Sequence, residues 1–154
     1  MAENKIQLSS FALKDLIDCW QVGIGNLDKR YETIKFHERH LSGKDEQQTA
    51  VAKDLIKTRV HDAVIAIPIW VKVFDEIHSL YDWQNNPPGE VKICNMFIDR
   101  IFKMLEKLVE IWDDAKHRTM YYGEMLTEDQ IAAGFKLLQL KNLFFQYGDI
   151  ATLA

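Results

Sequence analysis

At 154 residues, with 47% apolar and 27% charged side chains, the chain has the length of one domain and can bury a sizeable core. Its net charge of −4 and isoelectric point near 5.7 argue against coating nucleic acid, which needs a concentrated basic surface. Residues 1–9 lack the charged-then-apolar order of a signal peptide, and the most apolar stretch, 63–74, is too short to span a bilayer. Cys19 and Cys94 have no CxxC spacing and fall in apolar-periodic segments, as small core residues of a reducing compartment do. A soluble cytoplasmic protein with no membrane contact is expected.

In chain order, the first helix is expected over 10–42, where Leu13, Ile17, Trp20, Ile24, Leu27, Tyr31 and Ile34 alternate steps of four and three. Gly23 and Gly25 weaken it, and Ser42-Gly43 can end it. Asp45 with Gln48 has the form of a capping box opening a second helix over 46–84. Its stripe is Ile56, Val60, Ala63, Ile67, Trp70, Phe74, Ile77 and Tyr81, and Pro68 should kink it. The run Asn85-Asn86-Pro87-Pro88-Gly89 interrupts the chain. A third helix over 89–122 carries Cys94, Ile98, Ile101, Leu105, Leu108, Trp112 and Ala115, and Gly123 can close it. Thr127 with Gln130 opens a fourth over 128–146, for which Ile131, Phe135, Leu138 and Phe145 form the expected core stripe.

Short connections make neighbours antiparallel. The expected fold is all-α: a single domain over 1–154, an up-down-up-down helical bundle of three long helices, each about 50 Å, and a shorter fourth. A short fourth helix would leave one end of the bundle open, with Phe11, Tyr81, Trp83 and Phe97 gathered there. Either the chain ends fill that cluster or it forms a groove for a partner helix or a small apolar ligand. Helix 2 is apolar nearly all round over 63–74, and Leu137, Leu140, Leu143 and Phe144 fall outside the expected stripe of helix 4. Surplus apolar faces of this kind point to a homo-oligomer, a dimer above all.

Chemistry-bearing patterns are sparse. His37 and His40 form an HxxH pair that can place two imidazoles beside one metal, although a solvated helix end explains it as well. Glu110, Asp114 and His117, with His61 and Asp62 on helix 2, would face one another across the bundle much as in di-iron carboxylate proteins, but the Glu-x-x-His motif of that class is absent. Arg30 and His37 resemble the Arg-x6-His pair of the HEPN group of helical-bundle ribonucleases. That resemblance implies Arg30 and His37 as groups acting on a scissile phosphate. No Walker or dinucleotide-binding loop occurs, and neither cysteine has a histidine at a suggestive spacing. The tryptophans at 20, 70 and 112 take stripe positions.

The sequence therefore reads as a non-catalytic protein–protein interaction module: an assembly subunit, adaptor or inhibitor/immunity-type protein that self-associates and uses no cofactor. Its expected partner-binding residues are Tyr81, Trp83, Phe97, Phe144 and Phe145. The alternatives are a HEPN-like ribonuclease using Arg30 and His37, a metal-dependent enzyme using His37 and His40, and a sensor of small apolar ligands.

Overall fold

A computed structural model of the chain describes residues 8–39, 41 and 45–153, with side chains as far as Gly148. Among these residues there are four α-helices and no strand: α1 (Ser10–Glu38), α2 (Glu46–Leu80), α3 (Val91–Tyr121) and α4 (Glu128–Leu153). The fold is an all-α bundle.

Cross-helix contacts give the directions. The Tyr81 hydroxyl donates to the Leu8 carbonyl at 2.5 Å, and Arg30 meets Asp62 at 3.4 Å, so α1 and α2 run antiparallel. Phe102 lies against Phe145, and Trp112 against Gly134, so α3 and α4 do too. α2 and α3 each touch every other helix, whereas among the described residues α1 and α4 touch only those two. In cross-section the helices form a rhombus with α2 and α3 on its short diagonal. That central place explains the apolar girth of α2 over 63–74, because a helix with three neighbours needs a wide buried face. Ala63, Val64, Ile67, Val71 and Phe74 are buried, while Ile65 and Ile69 stay exposed.

The helix ends follow local chemistry. The Ser9 hydroxyl accepts from Ala12 N–H at 3.2 Å and caps α1. Asp45 caps α2 through Gln47 N–H at 2.9 Å, one residue short of the expected Gln48. α1 ends at Glu38 rather than 42, and the expected Ser42-Gly43 break lies outside the described residues. α2 stops at Leu80 rather than 84, because Tyr81 turns extended and the Trp83 indole N–H folds back onto the His78 carbonyl at 3.1 Å. It continues unbroken through Pro68. Gly89 has φ +74°, which no helix accommodates, so α3 begins at Val91. At its other end Gly123, φ +77°, closes a Schellman turn: Gly123 N–H bonds Met120 O and Glu124 N–H bonds Thr119 O, both at 3.0 Å. Thr127 and Gln130 then bond reciprocally, side chain to backbone, as a capping box does.

The expected stripes of α1, α2 and α3 all face the core; Trp20, Leu27 and Trp70 are partly buried and the rest fully. The expectation for α4 fails twice. First, the helix runs to Leu153 rather than 146, about 39 Å at 1.5 Å per residue, and Gly148 lies against Ile98 of α3. Second, the helix is rotated from the expected setting. Gly134, Leu137, Leu140 and Phe144 face the core, and Ile131, Phe135, Leu138 and Phe145 face out.

Two tryptophan–glycine contacts seat the outer helices. A Cβ on Gly134 would lie 2.5 Å from two atoms of the Trp112 ring, and one on Gly23 would lie 2.9 Å from the Trp70 ring. Trp112 is buried in the centre of the bundle, so its ring has no room to yield. Gly25 has nothing within 4 Å. Gly134→Ala is expected to lower stability by about 1–3 kcal/mol despite the better helix propensity of alanine. Gly25→Ala should raise it by up to about 1 kcal/mol. Urea denaturation of both variants checks the contrast.

Candidate functional site

Of the residues expected at the open end, Tyr81, Trp83 and Phe97 lie inside the core, whereas Phe11 is exposed. Tyr81, Trp83, Phe97 and Phe144 are all buried, Phe144 completely. The extra length of α4 closes that end: Trp83 packs edge-on against Phe144 at 5.0 Å and stacks on Tyr147 at 6.4 Å. Leu8 packs onto the same cluster from the N-terminal side. These four side chains bind the protein's own helices, and Phe145 alone of the five is exposed.

His78 is the polar member of the cluster. Its Nε2 lies 2.7 Å from the Tyr147 hydroxyl, a hydrogen bond, and its ring packs against Phe144. Burial pushes His78 below the ordinary 6.5; Asp75 pulls it up and Lys136 pushes it further down. A histidine with a depressed folded pKa adds stability that is complete above 6.5 and is lost as pH falls, because the unfolded chain takes up the proton more readily. The melting temperature should therefore fall from about pH 7 to about pH 5. His78→Gln should flatten that slope in a thermal scan.

The candidate catalytic groups Arg30 and His37 both lie on α1. Arg30 and His37 share one face of α1 but lie two turns, about 10 Å, apart. Arg30 is paired with Asp62. His37 lines a cleft of about 570 Å³ with Asp45, Gln48, Val51 and Leu55, between the end of α1 and the start of α2. His40 lies outside the described residues. Among the described residues no three His, Cys, Asp or Glu side chains are grouped as metal ligands. His61 and His117 are exposed, and Asp62 and Asp114 are engaged by neighbours, so the facing carboxylates and histidines expected across the bundle do not meet. Cys94 is buried and its thiol is pushed up by burial; Cys19, expected in the core, is exposed.

Asp114 belongs to a polar seam that joins α1 to α3. Arg100 bonds Asp18 at 2.6 Å and Gln21 at 2.7 Å, and Lys107 reaches Asp28 at 3.8 Å. Further along, the Tyr31 hydroxyl donates to Asp114, and Arg118 binds Asp114 at 2.6 Å and also Glu38. Burial pushes Asp114 up, but the bonds from Tyr31 and Arg118 outweigh it and hold the carboxyl below its ordinary value. Burial and the adjacent carboxylate push Tyr31 strongly upward. A cleft of about 160 Å³ opens along this seam beside Glu32, Lys35 and Glu110, where acids and bases compensate one another. Tyr31→Phe deletes the hydroxyl without changing the ring's packing, and is expected to cost about 1–2 kcal/mol in chemical denaturation. Asp114→Asn in the Tyr31→Phe background should cost less than it does alone.

The surface that stands apart is the outward row of α4. Phe135 is 71% exposed, Phe145 54%, Ile131 43% and Leu138 40%. Phe145 meets the partly buried Phe102 ring of α3 at 5.7 Å, so the row continues onto α3. Sequence periodicity assigned this row to the core because α4 carries two interleaved apolar rows. Two signals distinguish them. Gly134 lies in the buried row, where an indole needs room, and Asn142 lies in the outward one, where a monomer core would have to bury an amide.

No protein-family model matches the chain, and no curated protein or solved structure does either. No helix among the described residues is long and apolar enough to cross a membrane.

Proposed function

We propose that this protein is a non-catalytic helical interaction module that docks other protein through the outward face of α4. The supporting observation is the row Ile131, Phe135, Leu138 and Phe145, which stays in water on a helix whose opposite face is fully packed. Contiguous apolar surface rimmed by polar side chains marks association sites on soluble proteins. The role is that of an assembly subunit, adaptor or inhibitor, working in the cytoplasm and requiring no cofactor. Of the five residues expected to bind a partner, Tyr81, Trp83, Phe97 and Phe144 are spent on internal packing and only Phe145 carries over.

Site-specific photo-crosslinking in the native cell tests the reading. A benzophenone side chain at position 135 should yield discrete protein adducts, and the same label at the exposed Lys29 of α1 should not. Absence of a discrete adduct at 135, or equal labelling at both positions, overturns it.

A further inference from the structure

We infer that the occupant of the α4 row is a second copy of this chain, paired parallel and in register about a twofold axis, with Asn142 facing its own counterpart. The inference rests on the interaction-module reading and names its partner.

Spacing is the first argument. Residues 131, 135, 138, 142 and 145 step by four, three, four and three, the seam of a helix pair with knobs-into-holes packing. In heptad register Phe135 and Asn142 take the a positions and Ile131, Leu138 and Phe145 take the d positions. A lone asparagine at an a position costs stability but selects register and partner number in pairs of identical helices. Its amide carries both donors and an acceptor, so two copies across a twofold axis satisfy each other. An antiparallel pair centred on Leu138 would instead bury Asn142 against Phe135 of the other copy, leaving the amide unbonded.

Charge is the second. The α4 side chains flanking the row include Ala132, Gln139, Lys141 and Gln146, with one charge among them. The chain as a whole carries −4. Two identical acidic molecules repel at most faces; between 131 and 148 α4 carries no acid, and Glu128, the a position before Phe135, stands at the end of the row. A partner recognised by opposite charge would call for a charged rim, which α4 does not offer.

Area is the third. The four apolar side chains leave roughly 400 Å² exposed per copy, within the range of the largest apolar patch on a soluble protein, which is often a functional one. With the polar rim, two copies reach the lower range of specific interfaces, about 1,200 Å² in total, suited to a micromolar pair. Phe102 sits at the margin, where α3 of each copy flanks α4 of the other.

Sedimentation equilibrium of the full chain from about 10 μM to about 1 mM tests the pairing. The mass is expected to rise from the 18.0 kDa monomer to twice that value. Phe135→Glu should raise the dissociation constant at least about thirtyfold with unchanged circular dichroism, since Phe135 is 71% exposed. Orientation is read from Ile131→Cys in a Cys19→Ser background under a glutathione buffer. A parallel pair brings the two 131 positions within disulfide reach, whereas the antiparallel pair holds them about 20 Å apart. A dimer sensitive to Phe135→Glu and crosslinked at 131 supports the inference. A monomer at every concentration, a dimer indifferent to Phe135→Glu, or a dimer that fails to crosslink at 131 overturns it. A monomer whose label at 135 still captures a different protein overturns self-pairing and leaves the interaction module standing.

Discussion

The outer helices reach the central pair through indole rings laid on glycine backbone, and the rest of the packing depends on how closely that brings them. Trp112 of α3 occupies the space a side chain would take at Gly134 of α4, and Trp70 of α2 does the same at Gly23 of α1. Each contact sets a distance, and the glycine marks the face of the outer helix that the ring meets. The energetic logic is that of dense interiors, where a missing methyl group admits a ring and an added one evicts it. Glycine inside a helix ordinarily costs up to about 1 kcal/mol, and here the cost is offset by burial of a large aromatic surface.

Rotation of α4 about that contact decides what the protein shows to solvent. Once Gly134 faces Trp112, the row through Leu137, Leu140 and Phe144 must face inward, and Ile131, Phe135, Leu138 and Phe145 must face out. The outward row is thus a consequence of seating one indole. The same rotation carries Tyr147 over Trp83 and His78, where an aromatic cluster packs at the end of the bundle.

Charged groups play a different part. Pairs such as Lys14–Asp18 and Lys103–Asp99 lie within one helix on exposed faces, where solvent screens the ion pair. The bonds of Arg100 to Asp18 and Gln21, and of Tyr31 and Arg118 to Asp114, cross between α1 and α3. α1 and α3 run parallel and are far apart in sequence, so no loop dictates that they meet. The polar seam identifies the neighbour and its register, while the apolar stripes supply most of the free energy.

Much of the bundle was legible from local chemistry. The stripes of α1, α2 and α3 could be read because each of these helices carries a regular apolar row along its length, α2 included despite its wider apolar girth over 63–74. The Schellman glycine at 123 and the Thr127–Gln130 box could be read because caps are made within a few residues. Some ends were missed by a few residues, as at Leu80, where a tryptophan three positions on folds back to satisfy a carbonyl. The candidate site was hardly legible. Tyr81, Trp83 and Phe97 were expected in an open groove because α4 was expected to end at 146, whereas it runs on to Leu153 and Gly148 packs against Ile98. The choice between the two rows of α4 could not be made from periodicity, since both satisfy it. Only the tertiary structure made that choice, because the deciding contact joins Trp112 to a glycine 22 residues away on another helix. The sequence by itself determined the four helices and the inner faces of three of them; the outward face of the fourth was settled by where an indole fits.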